Sequence, residues 1–296
     1  MRLFLGVDGG QSGTVAMVGD ETGRVIGVGH GPAFRYDGAL EEALKATGGF
    51  GVGFQAACFG LSGGTTGREA VIRELVRAER YVFSHDAAIA LSGALDGKPG
   101  VIVIAGTGSI AFGRNAEGRE ARAGGWGYIF GDEGGAFDLV RQALRAALRQ
   151  EEGWGSPTVL REMLLAETGS KSANELMHRF YGPEYPRERI AELAPVIDRA
   201  AAAGDAVAQD LFKSAAQALA GLAGMVRRQI FLAEEPVPVS YSGGVFHSEV
   251  LLARFRMLVE LDESNSCVAP LHCPAAGALI EAYRAGGVVA RLQSDK

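Results

Sequence analysis

The chain has 296 residues, of which 47% are hydrophobic and 22% are charged, and its formal net charge is −6. The length exceeds one average domain and favours two lobes, while the acidic balance argues against a nucleic-acid-binding surface, which needs a basic face. A nucleotide is not excluded, because backbone N–H groups and a metal ion can hold phosphates.

The cysteines and the apolar segments indicate the compartment. Cys58, Cys267 and Cys273 form no C-x-x-C pair, which favours reduced thiols over a disulfide or zinc framework. No secretory signal is predicted, because Asp8 interrupts the apolar start. The uncharged stretch 99–113 is too short and too rich in glycine to cross a bilayer. We therefore expect a cytoplasmic protein without a membrane segment.

Short apolar runs alternate with turns at the start of the chain. The pattern predicts strands at 3–7, 14–18 and 25–28, joined by turns at 9–13 and 20–23, and this is a three-stranded meander. A short helix, a buried strand and a second helix follow. The predicted ranges of these three elements are 39–46, 56–61 and 66–76.

A similar series of elements begins at Val101, with a buried strand, a glycine turn, a returning strand and a second turn. When Ser12 is aligned with Ser109, Gly23 falls opposite Gly118, with a deletion of two residues between them. A repeated supersecondary unit of this kind predicts two related lobes.

The second half of the chain is mostly helical. A helix of roughly seven turns is predicted over 207–230, because apolar residues at helical spacing form one stripe that begins with Val207 and Leu211 and ends with Ile230. A strand at 237–241, a helix at about 248–261 and a last helix that begins at Pro274 follow. Strand meanders followed by helices, twice, predict an α/β protein with a cleft between two lobes.

The first glycine-rich turn is a candidate phosphate site. It consists of Asp8, Gly9, Gly10, Gln11, Ser12, Gly13 and Thr14. Such a hairpin can aim several N–H groups at one anion, and its two hydroxyls can add donors. Asp8 could hold Mg²⁺ through water. The alternative is a tight hairpin with an aspartate as turn residue.

The second glycine turn has the same chemistry and consists of Gly106, Thr107, Gly108 and Ser109. A dinucleotide fingerprint needs a helix directly after the glycines, but a strand and another turn follow here. The chain also contains no G-x-x-x-x-G-K-[ST] motif. A third glycine pair, Gly243 and Gly244, could let adenine or ribose lie close to the backbone, or could be a plain strand-to-helix connection.

Two acidic residues are candidates for contact with a substrate. Asp86 lies between a predicted strand and a helix, where it could be a helix cap or a general base that accepts a hydroxyl proton. Asp132 lies within the glycine-rich segment 124–135. It could bind ligand hydroxyls or cap the helix that follows.

The order of these motifs resembles the actin–hexokinase superfamily and, more narrowly, the BadF/BadG/BcrA/BcrD ATPase group, which includes N-acetylglucosamine kinases. The closing segment Pro274–Ala278 also matches. The resemblance implies two ribonuclease H-like lobes of the actin type, one formed by residues 1–97 and 272–296 and the other by residues 98–271.

The resemblance also implies roles for individual residues. Asp86 would be the catalytic base, and Asp8 would hold Mg²⁺. The residues implied to bind ATP are Asp8, Gly9, Gly10, Gln11, Ser12, Thr14, Gly106, Thr107, Gly108, Ser109, Gly243 and Gly244. Those implied to bind the sugar are Ser62, Gly63, Asp86, Thr107 and Asp132.

The chain departs from its relatives at two positions. Gly13 stands where they often carry a basic residue, and Phe34 stands where many place an asparagine that touches the sugar. The second departure leaves the identity of the sugar open, including any requirement for an N-acetyl group.

The expected activity is transfer of the γ-phosphoryl group of ATP, with Mg²⁺, to a hexose hydroxyl. The expected acceptor is the 6-OH of N-acetylglucosamine, glucosamine or glucose, and the expected assembly is a homodimer. One alternative is the ATPase activator of a radical dehydratase or reductase, although the three cysteines show no match to its iron–sulfur ligands. A second alternative is a sugar-binding regulator, but this chain starts directly with the phosphate-loop strand rather than a DNA-binding segment.

Overall fold

The structure of the chain is a computed structural model that describes residues 1–10, 13–34, 38–64 and 67–293. The chain forms two compact units. Unit 1 comprises Met1–Ile102, Gly113–Gly118 and Ala269–Lys296, and unit 2 comprises Val103–Phe112 and Arg119–Val268. The domain boundaries predicted from the sequence, after residues 97 and 271, stay a prediction.

The described residues form the following regular elements. The strands are β1 (Leu3–Gly9), β2 (Thr14–Asp20), β3 (Val25–Gly31), β4 (Gly53–Leu61), β5 (Arg77–His85), β6 (Gly100–Ala105), β7 (Ser109–Arg114), β8 (Glu120–Gly124), β9 (Val237–Ser242) and β10 (Asn265–Cys267). The helices are α1 (Ala39–Thr47), α2 (Glu69–Leu75), α3 (Asp86–Ala94), α4 (Ala136–Glu151), α5 (Leu160–Thr168), α6 (Ala173–Tyr181), α7 (Arg187–Ala191), α8 (Ala194–Ala202), α9 (Ala206–Ile230), α10 (Glu249–Val259) and α11 (Pro274–Ala285).

The strands form two five-stranded sheets with the same internal order. The first sheet has the order β3-β2-β1-β4-β5, and the second has the order β8-β7-β6-β9-β10. In the first sheet, β1, β2 and β3 form the predicted antiparallel meander, while β1, β4 and β5 run parallel. The equal strand order confirms the α/β class and the predicted duplication.

In unit 1, helix α11 packs on β1 and α3. Two glycines allow this close approach. A Cβ on Gly6 would overlap the backbone of Leu279, and one on Gly277 would overlap the backbone of Ile89. The last helix therefore forms part of the core of unit 1, together with the buried side chains of Phe4 and Tyr283.

In unit 2, the predicted long helix is confirmed as α9, which has 25 residues and is capped by the side chain of Asp205. The stripe that faces the core differs from the prediction at its start. Ala208 and Phe212 are buried there instead of Val207 and Leu211. The reason is that α9 packs against α10, β8, α8 and α4, so that several neighbours rather than one determine its buried face.

No helix within the described ranges combines the length and the apolar character that a membrane span requires.

Candidate functional site

In unit 1, three parallel strands end side by side. Gly9 of β1 lies opposite Leu61 of β4, and Leu61 lies opposite His85 of β5. The residues that follow are Gly10, Ser62 and Asp86. Because neighbouring strands are about 4.8 Å apart, three predicted site residues from distant parts of the sequence form one row. We call this row the strand-end row.

Asp8 lies just before this row and is half-buried. Its position in the sheet is central, opposite Val15 on one side and Gly60 on the other. Burial, and secondarily the negative charge of Asp86, raise the pKa of Asp8 to about 6. The two carboxylates therefore share a region of negative potential that would favour a divalent cation.

Asp86 is the first residue of α3, but it is not the cap of this helix. The cap is His85, whose Nδ1 accepts the N–H of Ala88 at 3.2 Å. Among the described residues, the carboxylate of Asp86 accepts one hydrogen bond, from the N–H of its neighbour Ala87 at 2.9 Å through Oδ1. The capping role considered for Asp86 is thus filled by another residue.

The glycine hairpin of unit 1 is held by internal hydrogen bonds. Gly10 donates to the carbonyl oxygen of Gly13 at 2.9 Å, and the buried Thr14 hydroxyl donates to the carbonyl oxygen of Pro32 at 2.8 Å. Gly9 is required for packing, since a Cβ would lie 2.8 Å from the ring of Phe34. The predicted contacts of Gln11 and Ser12 lie outside the described residues.

Ser62 sits in the middle of the strand-end row. Its N–H donates to the carbonyl oxygen of Gly9 at 3.0 Å, and its own carbonyl accepts a 3.3 Å bond from Nη1 of Arg68. The hydroxyl of Ser62 makes no hydrogen bond to a described residue and is half-buried. Gly63 follows in the left-handed region, at φ 78°, with open space around it.

In unit 2, the second glycine turn is tied to the start of α4. The carbonyl oxygens of Gly106 and Thr107 accept the N–H groups of Ala136 and Phe137, at 2.8 and 3.1 Å. The hydroxyl of Ser109 is buried and donates to the carbonyl oxygen of Glu133 at 2.7 Å. Like Thr14 in unit 1, Ser109 thus uses its hydroxyl proton inside the protein.

Thr107 differs from these two residues. It is half-buried, and its hydroxyl makes no hydrogen bond to any residue in the described ranges. A Cβ added to Gly106 would meet no atom of the described residues within 4 Å, so the backbone of Gly106 faces open space. The N–H of Gly106 already donates to the carbonyl oxygen of Gly108 at 3.0 Å, so the hydroxyl of Thr107 is the donor that this part of the turn offers to a ligand.

Asp132 lies against this turn and is buried. Its Oδ1 accepts the N–H of Ser109 at 3.4 Å, and its Oδ2 pairs with Nη2 of Arg187 at 2.5 Å. A Cβ on Gly108 would overlap this ion pair. Helix α4 has Gly135 as its cap and no capping side chain, so Asp132 does not cap it. The backbone of Asp132 is left-handed, at φ 65°.

The third glycine pair, Gly243 and Gly244, also lies beside the second turn. A Cβ on Gly243, whose φ is 103°, would overlap the carbonyl of Ala105. Gly244 begins a short 3-10 turn and has open space around it. The structure of unit 2 thus brings together Gly106, Gly108, Asp132 and Gly243.

Sequence reasoning missed two arginines. Arg187 reaches Asp132 from a helix 55 positions further along the chain, and Arg68 reaches Ser62 from the cap position of α2. No motif spacing indicates either pair, because both depend on how the chain returns in three dimensions.

A comparison with protein families matches residues 5–282 to the BadF/BadG/BcrA/BcrD ATPase family. An N-acetylmuramic acid/N-acetylglucosamine kinase of Clostridium acetobutylicum is 32% identical over 88% of this chain and 92% of its own. An N-acetyl-D-glucosamine kinase of Dictyostelium discoideum is 28% identical over 85% of this chain and 88% of its own.

Solved structures share the fold. A candidate N-acetylglucosamine kinase from Chromobacterium violaceum has a TM-score of 0.76 and 27% identity, and the match covers 95% of this chain and 98% of that one. A ROK family glucokinase from Streptomyces griseus, solved with glucose and AMPPNP, has a TM-score of 0.57 and 18% identity over 96% and 99% of the two chains. The second similarity shows the actin-like ATPase fold alone.

Proposed function

We propose that this chain, which belongs to the BadF/BadG/BcrA/BcrD ATPase family, is an ATP-dependent kinase of N-acetylated amino sugars. The strand-end row carries the proposal, because it places Asp86 beside Ser62 and the glycine hairpin. The relatives named as N-acetylglucosamine or N-acetylmuramic acid kinases match most of the chain and support this acceptor class.

In the proposed reaction, Asp86 is the general base. Its carboxylate takes the proton of the sugar hydroxyl while the hydroxyl oxygen forms a bond to the γ-phosphorus of ATP and the bond to the bridging oxygen of ADP breaks. His85 supports this role because it caps α3, and the Asp86 carboxylate makes one hydrogen bond within the described ranges, to the N–H of Ala87. The expected transfer site is the 6-OH.

The residues present fit a Mg²⁺ ion. No group of three or more His, Cys, Asp or Glu side chains in the described ranges is arranged as a metal cage. Mg²⁺ in kinases is held by one or two carboxylates, water and phosphate oxygens, so Asp8 alone suffices as the protein ligand. The bound ion would neutralise charge on the transferred phosphoryl group.

Each unit has its own proposed contacts to the nucleotide and to the sugar. In unit 1 we assign the hairpin backbone to phosphate and Ser62 with Gly63 to the sugar. In unit 2 we assign Thr107 to phosphate and sugar and Asp132 to sugar hydroxyls. The remaining proposed nucleotide contacts are Gly106, Gly108, Ser109, Gly243 and Gly244.

The activator alternative has less support. The solved dehydratase component A from Acidaminococcus fermentans is 12% identical, with a TM-score of 0.50, and shares the fold only.

We also propose a cytoplasmic homodimer. The three free cysteines support the cytoplasmic location, and two-fold dimers are the commonest assembly of soluble enzymes.

A coupled assay of ADP release tests the kinase proposal. The panel contains N-acetylglucosamine, N-acetylmuramic acid, glucosamine and glucose, with ³¹P NMR to identify the phosphorylated hydroxyl. We expect turnover of the N-acetylated sugars. If no sugar raises the rate of ADP release above the rate measured without sugar, the proposed function is wrong.

A further inference from the structure

Arg68 is held beside the predicted sugar contact Ser62 from two sides. Its Nη1 donates to the carbonyl oxygen of Ser62 at 3.3 Å, and its guanidinium carbon lies 5.5 Å from the ring centroid of Phe34. Stacking on an aromatic ring restricts the plane of a guanidinium group. Arg68 therefore presents its remaining N–H groups from a defined position next to the strand-end row.

The charge of Arg68 is not matched by a carboxylate of the described residues. Salt bridges connect other arginines to acids, as in Arg114–Glu281 and Arg187–Asp132, but none includes Arg68. Arg68 thus supplies positive charge that the acids of the row do not use.

Arginine offers five N–H donors in a planar fork that suits a carboxylate. One donor of Arg68 is directed at Ser62, which leaves donors for a ligand. N-acetylmuramic acid is N-acetylglucosamine with a lactic acid ether on O3, and this carboxyl group is ionised at neutral pH. Of the two sugars, only the acidic one needs a cation beside its binding site.

We propose that Arg68 is a specificity-determining residue that binds the carboxylate of an acidic substituent on the sugar, and that the chain therefore accepts N-acetylmuramic acid. This inference rests on the proposed kinase function. Phe34 has a second role under this view. It replaces a residue that could touch the sugar and instead supplies the ring on which Arg68 is stacked.

The test compares R68Q with R73Q in the full-length protein. Gln keeps a donor for the Ser62 carbonyl but removes the charge. Arg73 is the matched control, because it lies on α2, the helix that begins after Arg68, and its guanidinium carbon lies 4.2 Å from the ring centroid of Tyr81. Steady-state kinetics with ATP are measured for N-acetylglucosamine, N-acetylmuramic acid and the uncharged methyl ester of the latter.

We expect R68Q to lower kcat/KM for N-acetylmuramic acid by about 10- to 100-fold, mainly through KM, because a charged hydrogen-bond pair is lost. The effect on N-acetylglucosamine should stay below about 3-fold, and R73Q should change the ratio between the sugars by less than about 2-fold. In the parent protein, the methyl ester should behave as the acid does in R68Q.

Equal losses for both sugars in R68Q, or a rise confined to the KM for ATP, would overturn the inference and indicate a structural or phosphate-binding role. Turnover of N-acetylglucosamine without any use of N-acetylmuramic acid would overturn it while leaving the kinase proposal intact. If neither sugar is phosphorylated, the binding of N-acetylmuramic acid, measured by calorimetry, tests the role of Arg68 instead. Binding that R68Q abolishes supports the role of Arg68, and absent or unchanged binding overturns it.

Discussion

Asp8 and Asp86 belong to the first and third of three adjacent parallel strand ends, and the negative charge of Asp86 adds to burial in raising the pKa of Asp8 to about 6. This relationship joins a residue at the start of the chain to one about 80 positions later. Above pH 6 the ionised carboxylate of Asp8 therefore opposes folding, and its negative charge favours the binding of a cation.

The first prediction concerns stability. The pKa of Asp8 is higher in the folded chain than its ordinary value of 3.8, so ionised Asp8 costs free energy above pH 6 and nothing below pH 3.8. D8N should therefore raise the free energy of unfolding at pH 8 by about 1–3 kcal/mol. Urea unfolding without Mg²⁺ at pH 8 and pH 4 measures the change, most of which should be lost at the lower pH.

Asp20 provides the control for this experiment. Hydrogen bonds from Thr22 lower the pKa of Asp20, so its ionised form stabilises the fold. D20N should lose stability at pH 8, opposite in sign to D8N. A loss of stability in D8N at pH 8 would show that the carboxylate of Asp8 is stabilised by a partner.

The second prediction concerns the affinity for Mg²⁺–ATP. Below pH 6 a proton competes with the metal for Asp8, so the dissociation constant should rise about 10-fold per pH unit. In D8N the affinity should be weak and independent of pH over this range. Isothermal titration calorimetry between pH 5 and pH 8 measures both. Parallel pH curves for the two proteins would remove Asp8 from the metal site.

The third prediction concerns the general base. D86N should leave nucleotide binding intact and lower kcat by about 100-fold or more, because the sugar hydroxyl loses its proton acceptor. Helix α3 should remain, since His85 caps it. D96N is the control, as Asp96 ends the segment after α3 at φ 52°, a conformation that Asn tolerates. Near-normal turnover in D86N would refute the assignment.

The fourth prediction concerns Asp132. Because its φ is 65°, Asn is a better replacement than Ala, which would add backbone strain. D132N should raise the KM for the sugar by about 10-fold or more and change the KM for ATP by less than about 3-fold. R187M tests the ion pair separately. An unchanged sugar KM in D132N would count against Asp132 as a sugar contact.

The fifth prediction concerns the packing of α11. G6A should lower the free energy of unfolding by about 3 kcal/mol or more, because a Cβ would overlap the backbone of Leu279. G53A is the control, since Gly53 lies in the same sheet with open space around it. Urea midpoints of both variants measure the difference, and equal midpoints would mean that α11 shifts at little cost.

Much of the architecture could be predicted because local patterns and global fold agree. The hairpin glycines and apolar runs predict the meander, and their repetition near Val101 predicts the second sheet of equal order. The long apolar period predicts α9 almost to its ends, at Ala206 and Ile230. Its buried stripe was less predictable, since four neighbouring elements compete for its faces.

The roles of individual site residues were harder to predict from the sequence. Thr14 and Ser109 occur in glycine turns where hydroxyls could meet phosphate, yet both donate to backbone carbonyls, those of Pro32 and Glu133. The capping of α3 by His85 rather than Asp86 depends on ring orientation, which the local sequence pattern does not specify.

The amino-acid sequence by itself determined that this protein has two related halves, each opening with a glycine hairpin, because turn chemistry and the period of apolar residues act over a few neighbouring positions. Only the tertiary structure decided that the charge of Asp86 acts on the pKa of Asp8, that Arg187 pairs with Asp132 and that Arg68 lies beside Ser62. Charges interact through space over a few ångströms, and the folded chain alone sets those distances.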